Sequence, residues 1–443
     1  MSEQYSGEEG LAIKIADQVD VISKAFKNEG INVNLLTEKG GVRYMYAERE
    51  LLVRENYLSA LQVFLQDLRK DAGQEDPEPH EVESVIPGIV LLKLANQPGT
   101  DTPKAFDRFI GDIDKRFGEG VATPNHVLTV AGEIGPCPAT EPQRAYADIE
   151  PYPSANASDA GAGIRIYIAD TGLLPEVTTP SSWQSAHPWL AGVDGETDPM
   201  APPFPPNRSN AIKPYAAHGT FVAGVARCLA PGAEIHVDNV FRIAGSALED
   251  HFVRKLRQAL HHGYDIFHIS ATAPTRNDRP MEAFAHWLAE ARVYKGFVCV
   301  APAGNSGSHL PSWPSAFGDV VSVGALAADW RSRALFSNYG GWVDVYAPGR
   351  NLINAYATGI YKCQTDPYKG TDRKFYGMAR WSGTSFSSPI VTGLIAARMT
   401  RTGENGHEAA TALLGVARAQ AIPGVGPVLL PYRNRSTEGA SDI

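Results

Sequence analysis

The chain has 443 residues, 43% hydrophobic and 20% charged, with a formal net charge of −9, an ordinary composition for a soluble protein with one large domain and something smaller. Lysines and arginines are scattered rather than gathered into a basic stripe, which argues against a nucleic-acid surface. No uninterrupted apolar stretch is long enough to cross a bilayer, so no membrane is expected as a partner.

In chain order, MSEQYSGEEGLAIKIADQVD lacks the basic, apolar and small-residue regions of a secretory signal. The expected location is therefore the cytoplasm, where Cys137, Cys228, Cys299 and Cys363, which show no CxxC or zinc spacing, are expected as free thiols. Residues 1–41 form an N-terminal extension whose Leu11, Ile13, Ile15, Val19, Ile22 and Phe26 recur at near-helical spacing. Residues 42–132 alternate: extended VRYMYAERELLVR, helical YLSALQVFLQDLRKD, extended SVIPGIVLLKLA, helical PKAFDRFIGDIDKRFG, extended NHVLTVAG. Two β-α units and a closing strand suit a small α+β module of the split βαβ, ferredoxin-like kind.

Residues 133–162, rich in Pro, Ala, Gly and Ser without an apolar period, read as an exposed linker. From 163 to 430 short apolar runs, IRIYIAD, EIHVDNVF, DIFHIS, FVCVAPAG, DVVSVGAL and WVDVYAPG, alternate with helical segments. That pattern predicts an α/β domain with a mainly parallel sheet covered on both faces, whose catalytic groups gather beyond the carboxyl ends of the strands. A short tail, 431–443, follows.

Four strand ends and helix starts carry candidate chemistry. Asp170 closes IRIYIAD ahead of Thr171 and Gly172; it is a carboxylate offered at a turn, although a strand-end Asp also caps its own turn. His218 opens HGTFVAGVARC, whose Gly219, Ala223, Gly224 and Ala226 let a helix lie close to a sheet; taken alone it reads equally as a core histidine. Ser385 follows Gly383 and Thr384, with Pro389 expected in the first helical turn. That places Ser385 at a helix N-terminus, where negative charge is favoured, and where a serine is also a common N-cap. Asn305 ends FVCVAPAGN, as a carboxamide able to donate to an oxyanion or as a turn residue tolerant of left-handed geometry.

DTG, HGTFVAGV, APAGNSG and GTSFSSP, in that order, resemble the four signatures of the subtilisin family of serine peptidases, and FSNYGGWVDVYAPG and HPWLAG resemble its pattern too. The resemblance covers roughly residues 160–400. It implies a subtilisin-like three-layer fold, a triad of Asp170, His218 and Ser385, and an oxyanion site formed by Asn305 and the Ser385 backbone N–H. It further implies a protein or peptide substrate, paired as an extended strand along Ser270, Ala271 and Thr272, with pocket walls near Ala301 to Gly304.

The chain departs from that family at Phe221, where a histidine is usual, and in two insertions, 196–215 and 357–380. No compact run of carboxylates has calcium-ligand spacing, so neither metal nor cofactor is expected, and oligomeric state is not readable. TPNHVLTVAG resembles the end of a subtilisin propeptide. The module is therefore expected to act as intramolecular chaperone and inhibitor, with the linker occupying the cleft until cut; the alternative is a permanent accessory domain. The alternatives to an endopeptidase are a catalytically silent peptide-binding relative and a ligase or cyclase using the same acyl-enzyme.

Overall fold

The structure is a computed structural model. It describes residues 8–38, 41–74, 80–130, 139–151, 158–179, 185–203, 210–294, 296–365 and 367–431. Cys137, the first linker residues, the proline-rich centre of the 196–215 insertion and nearly all of the tail lie outside the described residues.

The N-terminal part is built from α1 (Glu8–Asn28), β1 (Val33–Glu38), β2 (Gly41–Arg54), α2 (Leu58–Asp71), β3 (Glu81–Ile86), β4 (Ile89–Lys93), α3 (Pro103–Phe117) and β5 (Ala122–Thr129). The strands order as β5-β2-β4-β3, with β1 added on β2, and every pair is antiparallel. The run SVIPGIVLLKLA, expected as one strand, is a hairpin that reverses at Pro87–Gly88 and pairs Ile86 with Ile89. That extra strand completes the split βαβ pattern.

Helix α3 starts where the Thr102 side chain accepts from the Ala105 amide, with Pro103 in its first turn. Its Phe106, Phe109, Ile110 and Ile113 share one face, and with Leu61 and Leu65 of α2 they bury Tyr44, Tyr46, Leu51, Val53 and Leu92. The extension is not separate from this module. Ile22 and Phe26 of α1 pack on Met45, Ala47, Val127 and Leu248.

Further along come β6 (Gln143–Arg144), β7 (Arg165–Ala169), β8 (Asp194–Gly195), β9 (Ala211–Ile212), α4 (His218–Leu229), β10 (Glu234–Asp238), β11 (Ser246–Leu248), α5 (Glu249–Leu260) and β12 (Ile266–Ile269). They are followed by α6 (Glu282–Ala291), β13 (Val298–Pro302), β14 (Val320–Leu326), β15 (Val345–Pro348), β16 (Leu352–Lys362), β17 (Asp372–Trp381), α7 (Thr384–Thr402) and α8 (Gly406–Ala419). The central sheet runs β15-β14-β13-β12-β7-β10-β8 and is parallel at every pair. Adjacent residues of β12 show how both faces are covered. Phe267 meets Trp287 of α6, while the His268 ring bonds Thr392 of α7.

The strand order reverses around β7, which has β10 on one side and β12 on the other. Asp170 therefore emerges at a topological switch point. The two insertions and the linker come together in a second small sheet, β6-β17-β16-β9. There the long β16–β17 hairpin accepts β9 from the first insertion and β6 from the linker.

The N-terminal module and the central domain share a core. Leu52, Val85, Ile86, Ile89, Leu91 and Leu128, on the sheet face away from α2 and α3, belong to the same buried cluster as the α5 and α6 residues. Across this junction Arg276 bonds Asp107 and Asp114, Arg54 pairs with Glu282, and buried His126 pairs with buried Glu249.

Candidate active site

The Asp170 carboxylate is set by its own turn. Its Oδ1 accepts from the Thr171 amide at 2.7 Å and from His218 Nδ1 at 2.7 Å, and both side chains are fully buried. Close approach of the two segments explains the small residue after the histidine. A Cβ on Gly219 would come within 2.4 Å of the Gly172 carbonyl oxygen, so the first turn of α4 can sit on the Asp170 turn only with glycine there. Phe221, one turn along, packs on Phe386 at 4.4 Å and edge-on to Trp381, a packing role with no share in the imidazole's bonds. With Nδ1 bonded to Asp170, Nε2 is the ring nitrogen left over, and it is buried with no hydrogen-bond partner among the described residues.

Ser385 is the second residue of α7, as a site at a helix N-terminus requires. Pro389 does not fall in the first turn as expected, because the helix begins at Thr384 and carries the proline inside it. Its missing N–H is the one that would bond the carbonyl four residues back, that of Ser385 itself. The Ser385 hydroxyl donates to the carbonyl oxygen of Val130 at 3.0 Å, so in this state its hydrogen bond goes to the N-terminal module and not to His218.

Asn305 stands beside the serine through Thr384. Its Oδ1 accepts from the Thr384 amide at 2.8 Å and the Thr384 hydroxyl at 2.9 Å. Anchoring the oxygen leaves the Nδ2 end of the carboxamide as the donor. The preceding Gly304 has φ +101°, and a Cβ there would lie 2.5 Å from Asn338 Nδ2. Asn338 holds the loop: its Nδ2 donates to the Ala303 carbonyl, and its Oδ1 accepts from the amides of Ser306 and Ser308.

Ser270, Ala271 and Thr272 are buried at the end of β12. Thr272 pairs antiparallel with Thr129 through two 3.0 Å backbone hydrogen bonds. On its other edge β5 pairs with Ser246–Leu248, and the Val130 amide donates to the Gly245 carbonyl. The module's last residues thus lie as the middle of three strands, ending at Ser385. Among the described residues the end of β5 lies along this edge; the first linker residues, expected in the cleft, lie outside the described residues.

Several residues with a part in this site were not singled out from the sequence. Gly245–Leu248 form the second wall of the cleft, and their three-residue strand is too short to show a period. Asn338 lies in a stretch read only as family pattern. Fully buried Ser312 sits 3.4 Å from the position of a Gly304 Cβ, and its hydroxyl, like those of Ser270 and Thr272, has no partner among the described residues. Burial raises the pKa of Asp198, in the first insertion, to about 7, against the pull of its hydrogen bonds from Ala217, Met200 and Thr171. Burial likewise drives His268 down to about 3, leaving a neutral imidazole behind the triad. No group of three or more His, Cys, Asp or Glu that could hold a metal ion occurs among the described residues.

The parallel α/β sheet thus carries Asp170 at a strand end, with His218 and Ser385 at the starts of two helices. Residues 161–419 match the pattern of the subtilase family, Peptidase_S8, and the chain belongs to that family. It is 26% identical over 250 residues to the M-protease of Shouchella clausii (strain KSM-K16), a match covering 54% of this chain and 55% of that protein. It is 29% identical over 246 residues to thermitase of Thermoactinomyces vulgaris, covering 53% and 74%. Among solved structures, fervidolysin from Fervidobacterium pennivorans, a keratinolytic enzyme related to subtilisin, superposes with a TM-score of 0.52 at 18% identity, covering 88% of this chain and 59% of that one. That likeness is one of fold.

Proposed function

We propose that the protein is a serine endopeptidase held latent by its own N-terminal module. The observation that carries this reading is the strand Val127–Val130, laid between Ser246–Leu248 and Thr272 with its last carbonyl on the Ser385 hydroxyl. This is how an extended peptide substrate would be held.

Once that strand leaves, the Ser385 hydroxyl is free for His218 Nε2. Ser385 Oγ attacks the scissile carbonyl as its proton passes to Nε2. Asp170 holds the Nδ1–H tautomer and stabilises the imidazolium. The oxyanion takes hydrogen bonds from Asn305 Nδ2 and the Ser385 amide, His218 returns the proton to the leaving amine, and water resolves the acyl-enzyme.

Latency follows from the same contacts. The module withholds the nucleophile's hydrogen bond and fills the substrate strand's place. The chain re-enters at Ala139, whose amide donates to the Ser382 carbonyl, so an activating cut belongs between Val130 and Ala139, on either side of the nucleophile's loop.

Fluorophosphonate labelling tests the reading. Once cut, the purified protein is expected to take one label, Ser385→Ala none, and intact mass should resolve fragments cut between Val130 and Ala139. Asn305→Ala should label slowly and lose kcat with KM held, by about 10² to 10³, the loss known for the oxyanion asparagine of a subtilisin. A wild-type protein that, once cut between Val130 and Ala139, neither labels nor cleaves any member of a peptide library would overturn the proposal, and an uncut protein that labels as fast as the cut one would overturn the latency.

A further inference from the structure

Asp198 has no part in the chemistry just derived, yet it is a carboxylate with 1% exposure lying against the triad. Burying such a group is costly unless every lone pair has a donor, and here the donors are particular. Asp198 Oδ2 accepts from the Ala217 amide at 2.7 Å and from the Thr171 hydroxyl at 3.2 Å, while Oδ1 accepts from the Met200 amide at 2.8 Å. The Thr171 oxygen in turn accepts from the Gly219 amide at 3.1 Å.

Ala217 and Gly219 flank His218, and Thr171 follows Asp170. Ala217 is moreover held at φ +66°, a left-handed conformation unfavourable for a residue with a Cβ, which persists only where the surroundings impose it. The segment that carries Asp198 is itself fixed, since Leu173 and Thr197 pair and the Asp198 amide donates to the Leu173 carbonyl.

We propose that Asp198 is a positioning residue of the triad: together with the Thr171 hydroxyl it clamps the backbone on both sides of His218 to the turn that carries Asp170. The inference rests on the peptidase reading and deepens it, by giving the inserted segment a task. The clamp fixes the imidazole's approach to Ser385 while leaving substrate pairing to Gly245–Leu248 and Thr272.

The test uses the full chain, cut between Val130 and Ala139 so that the module no longer holds Ser385, as four proteins: wild type, Asp198→Leu, Thr171→Val and Thr171→Ser. Leucine has the branching of aspartate and accepts no hydrogen bond, so both clamp donors lose their partner. Valine keeps the shape of threonine and removes the hydroxyl. Asp198→Leu and Thr171→Val are expected to lose about 10²-fold in kcat, the scale of a misplacement near 1 Å at a reacting group, with KM unchanged and a folded thermal transition. Thr171→Ser, which restores the hydroxyl, should recover the rate.

Wild-type kcat in folded Asp198→Leu or Thr171→Val overturns the clamp. So does a Thr171→Ser enzyme as slow as Thr171→Val, because the returned hydroxyl would then not restore the rate. Should Asp198→Leu fail to fold, the two Thr171 variants decide alone. Wild type that stays inactive after the cut overturns the peptidase reading and this inference with it, whereas active cut wild type beside equally active Asp198→Leu overturns the clamp only.

Discussion

The imidazole of His268 is wholly buried, bonded through Nδ1 to Thr392, with Nε2 unpartnered among the described residues. Desolvation holds its pKa near 3, against about 6.5 in an unfolded chain. Between those values only the unfolded state binds the proton, so stability is fully present above about 6.5 and is lost as pH falls toward 3. One such group changes unfolding free energy by at most about 1.4 kcal/mol per pH unit. Urea unfolding at a series of pH values should therefore show a shallower acid decline for His268→Asn than for wild type, and parallel curves would refute the assignment.

Residues of this kind mark the limit of what sequence discloses. Asp170, His218, Asn305 and Ser385 sit in runs whose neighbours are themselves constrained, as Gly219 is by its approach to Gly172, and the constraint is visible as a motif. Asp198 sits twenty residues ahead of His218 in a stretch that reads as a loop. It reaches the site only because residues 196–198 pair with the turn after β7, a long-range event with no local signature.

At the scale of elements, alternating apolar runs were enough to place the seven parallel strands' main members and the module's helices. Two boundaries escaped. The Pro87–Gly88 reversal was absorbed into one apolar run, since its flanking strands are both nearly continuous in apolar residues. Pro389 suggested a later helix start, because the rule that confines proline to the first turn gives way where the surrounding packing fixes the backbone.

The element with most consequence is the end of β5, where each backbone group has a defined partner. Thr129→Pro removes the amide that donates to the Thr272 carbonyl, and proline cannot be paired within a central strand. In the uncut chain this variant should label with fluorophosphonate at least about tenfold faster than wild type, since losing one such hydrogen bond together with strand geometry is worth about 1.4 kcal/mol or more. Equal rates would mean that the strand does not govern access to Ser385.

Across the whole molecule, module and central domain are joined by a continuous apolar core with charged groups set into it. Arg276 is the clearest case. Its side chain is 10% exposed and bridges Asp107 and Asp114, of which Asp114 is 13% exposed. Its partners hold the guanidinium above its usual pKa despite burial, which works the other way.

Removing one member of such a group leaves charge stranded, whereas removing all of it leaves only packing. Arg276→Met should thus loosen the module by about 2 to 4 kcal/mol, discounted from the fully buried case because Asp107 is 31% exposed. Calorimetry should then resolve an early transition for the module ahead of the domain that carries the triad. The triple variant Arg276→Met, Asp107→Asn, Asp114→Asn should restore most of the lost coupling, because no unpaired carboxylate remains at the junction. If the single and triple variants unfold alike, the ion pairs do not couple the two parts, and the apolar face of Leu52, Val85, Ile86, Ile89 and Leu91 holds the module on its own.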